Sequence, residues 1–348
     1  MAFHTYLREG VDAAIIECGI GGEYDCTNVI THPVVCGISR LGIDHVMMLG
    51  NSIEEISWHK AGIMKSGTKC FTVEQKSDAL EVLEGRARDK QVSLEVVPVH
   101  PEIQSGAVQL GLSADFQKAN ASLAIAIAQH FLADRGISNG ETNDALNERF
   151  QKGLRDVRWG GRCETRKEKD LMWYIDGGHT SESLELTGKW FADQLVPNSI
   201  PIDSSKQTRI LIFNQQTRDA AALVQVLYES VSTSFPTKIS PPFTHAIFCT
   251  NSTFESTGFS PELMNLNSNT ESIRELTVQK AIAKKWGDMD STTDIKVVGT
   301  IEEAVRSVRR LVDTRDAKAG DVMALVTGSL HLVGGFLEVL ESGKQGIN

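Results

Sequence analysis

No Cys-x-x-Cys pair occurs among the six cysteines of this chain, Cys18, Cys26, Cys36, Cys70, Cys163 and Cys249. Several sit in apolar runs, as Cys36 does in VVCGI and Cys249 in AIFCT, which is the setting of buried free thiols in a reducing compartment rather than of disulfides or a zinc site. No apolar run approaches the ~20 residues that span a bilayer, and the opening MAFHTYLREG lacks the apolar core of a signal peptide. The net charge is −10 and no run of Lys and Arg marks a basic face, so a nucleic-acid partner is disfavoured. An anion must instead be held locally, by Gly-rich backbone, helix N-termini, single Arg or Lys side chains or a metal. One phosphate-holding device is absent from these residues: no G-x-x-x-x-G-K-[ST] occurs, and Gly188-Lys189 and Gly343-Lys344 lack both the earlier glycine and the following hydroxyl.

What is present is a chain of 348 residues, 41% hydrophobic and 23% charged, an ordinary globular composition of a length that predicts two domains. Apolar strand-like runs alternate with amphipathic stretches, the pattern of βαβ units and parallel sheets. Strands are expected at Val11–Cys18, Val34–Leu41, Lys69–Val73 and Leu94–Val99, then at Leu171–Asp176, Arg209–Phe213, His245–Thr250, Ile295–Val298 and Val322–Thr327. Helices are expected at Ile53–Ala61, Asp78–Lys90, Phe116–Leu132, Glu182–Gln194, Asp219–Val231, Glu275–Trp286 and Ile301–Val312. Phe3, Tyr6 and Leu7 have helical spacing and lead into the first strand. Trp159-Gly160-Gly161-Arg162 breaks the pattern, which sets a boundary near Leu154–Gly160 and domains at 1–156 and 157–348. Val196–Gln207 and Ser252–Thr270, rich in Ser, Asn and Pro, read as surface loops.

Four constellations carry candidate chemistry. In VDAAIIECGIGGEYDCTN an apolar run ends in Glu17 and a glycine cluster. A carboxylate beyond a strand end can hold Mg²⁺, although a strand end, a glycine turn and an incidental Glu account for it equally well. In LGIDHVMMLGNSIEEISWHKAGIMK, His45 follows the strand Val34–Leu41 and is expected at the same sheet edge as Glu17, with Asp44 able to orient its ring. A lone His is more often satisfied by a nearby carbonyl, and Lys60 by itself reads as a solvated lysine. In WGGRCE and YIDGGHTSES, Arg162 and His179 suit phosphate or a developing anion, and Asp176, at a strand end, suits a ribose hydroxyl. An Asp before glycine is also a common turn residue. It is the joint occurrence of all four that makes the plain accounts fail.

With FQKANASLAIA and VTGSLHLVGGFLEVLE, these stretches resemble, in order and across nearly the whole chain, the folylpolyglutamate synthases of eukaryotic, fungal type, relatives of the Mur ligases. The resemblance implies an α/β protein with a P-loop-type central ATPase domain, incomplete at its N-terminus, followed by a Rossmann-like C-terminal ligase domain. It implies that ATP phosphorylates the γ-carboxyl of a reduced folate (poly)glutamate and that the amine of L-glutamate then displaces phosphate. It makes Glu17 and His45 ligands of Mg²⁺, and Lys60 a carbamylated lysine supporting that metal. Asn120, Arg162, Asp176 and His179 become nucleotide-side residues, and Lys60 and His179 the catalytic pair. Ser329 and His331 are weaker candidates for the glutamate pocket. It implies a cytoplasmic monomer, or a mitochondrial one as well, any targeting segment lying upstream. Gly160 stands where the family has proline, and Cys18 where it has valine. The family's phosphate loop and the folate segment after it are expected to precede Met1, so the chain alone is expected to be inactive. A non-catalytic homologue and a dihydrofolate synthase remain the alternatives.

Overall fold

The computed structural model describes residues 1–137, 145–195, 207–216, 218–234, 241–255, 275–313 and 322–345. The chain divides into two compact units, Met1–Leu110 with Phe116–Asp156, and Gly111–Asp115 with Val157–Asn348. No helix among the described residues is long and apolar enough to cross a membrane.

The first unit opens with helix α1 (Ala2–Glu9), closed by Gly10 in the left-handed conformation (φ 62°). Its sheet is three parallel strands in the order β1 (Val35–Ile38), β2 (Lys69–Thr72), β3 (Ser93–Val96). Between β1 and β2 lie α2 (Val46–Leu49) and α3 (Ile53–Lys60), and between β2 and β3 lies α4 (Ser77–Lys90). Helices α5 (Pro101–Gln104), α6 (Gln117–Asp134) and α7 (Glu148–Asp156) follow. Alternate strand residues serve the two faces, as a pleated strand requires. Cys36, Ile38 and Cys70 pack on Ala79, Leu83 and Ala87 of α4, whereas Val35, Phe71 and Val73 meet Leu123 and Ile127 of α6. A parallel strand buried on both faces reads as a continuous apolar run, which is why VVCGI and CFTV were legible as strands.

The expected strand Val11–Cys18 does not form. Its residues have no ladder partners among the described residues, and Ile15 is 97% and Val11 45% exposed. A strand exists only through its neighbours' hydrogen bonds, and among the described residues β1 forms the sheet edge with β2 as its one partner. The helical spacing of Phe3, Tyr6 and Leu7 does give a helix, but none of its residues is buried.

The second unit holds a six-stranded sheet in the order β4-β5-β9-β6-β7-β8, with β4 (Glu164–Glu168) antiparallel to β5 (Leu171–Ile175) and the rest parallel. The others are β6 (Thr208–Phe213), β7 (His245–Phe248), β8 (Asp294–Val297) and β9 (Val322–Thr327). Helices α8 (Ser181–Gln194), α9 (Ala220–Ser234) and α10 (Thr277–Met289) line one face, where Tyr174 meets Trp190 and Phe191, and Trp286 meets Tyr228, Phe243 and Phe248. Helices α11 (Ile301–Asp313) and α12 (Leu330–Gln345) cover the other, packing Val305, Val308 and Phe336 on Trp173, Ile212 and Ala324.

Strand β4 was not expected from its sequence, ETRKE. It is a charged edge strand, which protects a sheet from further pairing, and its charges are used: Glu168 accepts from Trp173 Nε1 (2.9 Å) and Arg309 Nε (2.8 Å). The expected loops Val196–Gln207 and Ser252–Thr270 lie for the most part outside the described residues. Since β5 leads to α8 on one face while its sheet neighbour β9 leads to α12 on the other, the loops after these strands diverge. That divergence is the switch point at which open α/β sheets bind ligands.

Candidate functional site

In the first unit, two of the sequence's constellations are bonded to each other. Gly21 (φ 72°) and Gly22 turn the chain against the C-terminal end of α3. A Cβ on Gly22 would lie 2.8 Å from the His59 carbonyl oxygen and 3.0 Å from that of Lys60, so close backbone approach demands glycine there. The Glu23 N–H donates to His59 O (2.8 Å). The Asn28 amide donates to Glu23 O (3.0 Å) and Gly62 O (3.2 Å), and Lys90 reaches the same Gly62 carbonyl at 3.2 Å. The Glu23 carboxylate pairs with Arg86 and, at 3.3 Å, with Lys90. Asp25 accepts from the Thr27 hydroxyl (2.6 Å) and from the N–H groups of Ile20 and Thr27 (both 2.9 Å), which together hold its pKa down at about 2. Much of this motif is therefore employed in holding itself to α3 and α4.

Lys60 ends α3, half-buried, and its ammonium has no hydrogen-bond or ion-pair partner among the described residues. Asn120 lies on α6 and donates within that helix to Gln117 Oε1 (2.9 Å). His45 caps α2 in the left-handed conformation (φ 53°), with Asp44 beside it: Asp44 Oδ1 accepts from the His45 N–H (2.6 Å), and Oδ2 stands 3.7 Å from Nε2. Glu17 is exposed on the unpaired segment, so the expected shared sheet edge for Glu17 and His45 is absent, because Glu17 follows no strand. No three His, Cys, Asp or Glu side chains among the described residues converge to hold a metal. Neither Glu17 nor His45 belongs to such a group. A pocket of about 440 Å³ beside α3, lined by Met48, Glu54, Trp58 and His59 among others, takes in none of the nominated residues.

In the second unit, Arg162, Asp176 and His179 do come together, at the end of β5. Asp176 is buried. Its Oδ1 accepts from the Gly178 N–H (2.9 Å) and the Thr187 hydroxyl (2.6 Å), and its Oδ2 from the Cys163 N–H (2.9 Å) and thiol (3.4 Å). A carboxylate offers about four lone-pair positions, and all four are taken. Burial, and then the adjacent Asp176 charge, push the Cys163 thiol pKa up, so it remains a donor.

Arg162 lies over the glycine pair. A Cβ on Gly177 would meet Leu330 Cδ2 at 2.3 Å and Arg162 Nη1 at 2.7 Å. The His179 ring binds the Gly177 carbonyl through Nδ1 (2.8 Å). A carbonyl only accepts, so Nδ1 carries the proton, which fixes the neutral tautomer with Nε2 as the basic nitrogen. Helix α8 starts immediately after, with Thr180 and Ser183 forming a reciprocal cap, and its N-terminus adds positive potential at the crevice. Ser329, the weaker glutamate-pocket candidate, instead caps α12, accepting from the His331 N–H at 3.2 Å; His331 is exposed. Thr187 and Cys163 escaped the sequence reading because nothing local in a helix interior or a turn marks them as partners of Asp176. Asn214 and Gln215, buried at the end of β6, also belong to this edge: Gln215 donates to Gly328 O at 3.0 Å, and Asn214 bonds Asn251 and Gln279. Their signal was present, two amides directly after the apolar run ILIF.

No protein-family model matches the chain. It is 44% identical over 342 residues to a folylpolyglutamate synthase of Neurospora crassa, covering 98% of this chain and 63% of that relative. It is 40% identical over 347 residues to one of Saccharomyces cerevisiae, covering 98% and 60%. The chain thus spans 60–63% of the length of these curated relatives. Its fold matches a solved Mycobacterium tuberculosis folylpolyglutamate synthase complexed with ADP and AMPPCP, with a TM-score of 0.70 at 21% identity over 97% of this chain and 70% of that one.

Proposed function

From a chain homologous to folylpolyglutamate synthases along 98% of its length, we propose the chemistry of an ATP-dependent carboxylate–amine ligase. ATP phosphorylates the γ-carboxyl of a reduced folate (poly)glutamate, and the amine of L-glutamate attacks the acyl phosphate and expels phosphate. The observation that carries this reading is the crevice end of β5. There the Arg162 guanidinium, a glycine pair that leaves its backbone open, the tautomer-fixed His179 and the N-terminus of α8 all suit a polyphosphate. In this reading Arg162 neutralises phosphate oxygen and His179 Nε2 takes up or returns a proton, and Asn120 is kept as a nucleotide-side candidate. Lys60, without a partner among the described residues and next to the glycine turn, is the candidate for carbamylation, which would replace its cation with an oxygen anion. Glu17 and His45 are the residues that would hold Mg²⁺ in this reading, and no step is routed through the metal. The four buried free cysteines accord with a cytoplasmic enzyme, taken as a monomer.

Phosphoryl transfer depends on positioning and charge stabilisation around the phosphates, and no G-x-x-x-x-G-K-[ST] cradle occurs in these 348 residues. The chain is therefore expected to bind adenine nucleotide without ligating glutamate. Calorimetric titration of ADP and AMPPCP into the chain tests the first half: saturable binding is expected, weakened about 10- to 100-fold by Arg162→Ala through loss of a charge-assisted contact. Absence of saturation at millimolar nucleotide overturns it. Mass spectrometry of a reduced folate diglutamate incubated with ATP, magnesium, glutamate and the chain tests the second, and glutamate addition by this chain overturns the need for the cradle.

A further inference from the structure

We propose that Cys18 and Cys26 form a peroxide-sensitive thiol pair, whose disulfide closes a ring around the glycine turn of the first unit. Neither thiol takes part in the proposed ligase chemistry, so the pair stands whatever becomes of that chemistry. Cys36, Cys70, Cys163 and Cys249 are buried, whereas Cys18 is partly exposed and Cys26 exposed. A dissolved oxidant selects thiols by their exposure, and these two meet at one turn. Cys18 Sγ stands 3.5 Å from the Thr27 hydroxyl oxygen, and Thr27 follows Cys26 directly. Asp25, on the other side of Cys26, accepts from the Ile20 N–H through Oδ2 at 2.9 Å, and a Cβ on Gly19 would lie 3.3 Å from that same oxygen. Both neighbours of Cys26 therefore already touch the stretch that begins at Cys18.

A disulfide needs Cα atoms about 4.4–6.8 Å apart. Cys26 opens a short 3₁₀ turn, Cys26–Val29, capped by the Asp25 side chain, which holds it in place. The adjustment falls to Cys18, which ends the segment with no ladder partners among the described residues. Cys36 is the competing partner. Burial pushes its pKa up to about 11 against the pull of Lys65, and the nearby Cys18 thiol adds to the rise. Its thiol also donates to Ile63 O at 3.3 Å, and so little of the nucleophilic thiolate is on offer. Cys26, the more exposed thiol, takes the first step. Its thiolate attacks one oxygen of hydrogen peroxide, the O–O bond breaks and hydroxide leaves, so the sulfur is oxidised to a sulfenic acid as the peroxide is reduced. The Cys18 thiolate then attacks that sulfur, the S–O bond breaks, and the departing hydroxide takes a proton to become water. Two thiols and one peroxide give one disulfide and two waters. Glu17 adjoins Cys18, so closing the ring also shifts the carboxylate that the proposed function assigns to Mg²⁺.

The test oxidises the whole chain with hydrogen peroxide, blocks the remaining thiols with N-ethylmaleimide and digests it, unreduced, with a glutamate-specific protease. Cleavage after Glu17 and Glu23 separates Cys18 from Cys26, so the ring shows in mass spectrometry as two fragments held together and released by dithiothreitol. The link is expected in the wild type and in Cys36→Ser, and should be lost in Cys18→Ser and in Cys26→Ser. In Cys18→Ser, where nothing resolves the sulfenic acid, dimedone should label Cys26. Circular dichroism verifies that each variant folds, and Cys36→Ala takes the place of Cys36→Ser should a hydroxyl at that buried position prevent folding. A link that survives in Cys26→Ser and disappears in Cys36→Ser makes Cys36 the partner and overturns the proposal. So does a wild type that ends in sulfinic acid, in disulfides between two chains, or with both thiols unreacted.

Discussion

Two segments of this molecule are nearly interchangeable as strings of letters. AAIIECGIGG and MWYIDGGH each run from four apolar residues into an acidic one and a glycine cluster. In the second unit that string is β5, paired on both sides, with Trp173 and Ile175 wholly buried and Asp176 fully bonded. In the first unit it is unpaired, Ile15 is almost wholly exposed, and Glu17 stands in the open. The apolar residues differ little in their wish to leave water. What differs is whether a second backbone lies 4.7–4.9 Å away to complete the ladder. A strand is a property of a pair, and a carboxylate becomes a fixed part of a site only when the strand before it is fixed.

The sharpest way to break this comparison is truncation of one apolar residue in each segment. Trp173→Ala removes a buried ring that stacks edge-on against Phe336 at 4.9 Å and anchors Glu168, and should cost about 3–5 kcal/mol. Ile15→Ala removes an exposed side chain and should stay within about 0.5 kcal/mol. Urea unfolding followed by circular dichroism checks both, and a large loss from Ile15→Ala would mean that its segment is packed in solution.

The difference also marks how far the sequence could be read. Strands β5, β6, β7 and β9 were legible because burial on two faces writes itself as an apolar run, and the crevice residues were legible because they follow such runs directly. Strand β4 was hidden by its charges, and the Asp176 partners Cys163 and Thr187 by distance along the chain. The segment at Val11–Cys18 was misread because periodicity reports what a stretch could bury and is silent about whether a partner is there. Glu17 was expected at a strand end by the same inference, and it follows no strand.

The glycine-rich turn after the unpaired segment is nevertheless fixed, and its chemistry gives a pH signature of intermediate size. Asp25 has its pKa lowered from 3.8 to about 2 by Thr27 and backbone donors. A depressed carboxylate contributes stability that is present above the unfolded pKa and is lost as pH falls through the folded one. Asp25→Ala should therefore be less stable than wild type at pH 7, with the gap closing between about pH 4 and pH 2. Urea midpoints at pH 7, 4 and 3 measure it, and a gap independent of pH would refute the assignment. The smallest effect concerns thiols. Cys18, partly exposed at the end of the unpaired segment, and exposed Cys26 should react with Ellman's reagent in the folded chain. Cys163, bonded to Asp176, and Cys249, whose pKa burial raises to about 12, should stay unmodified until urea opens the fold.

The place of β9 has a consequence for how the protein comes into being. It enters the sheet between β5 and β6, pairing Leu171 with Val322 across about 150 residues of chain. Until β9 has left the ribosome, nothing joins β5 to β6, and the edges that it will pair stand open. Contacts of such long sequence separation form slowly, and open edges invite other chains. The second unit is therefore a domain that must be finished before it can be begun, and its nascent form is a natural client for chaperones throughout its synthesis.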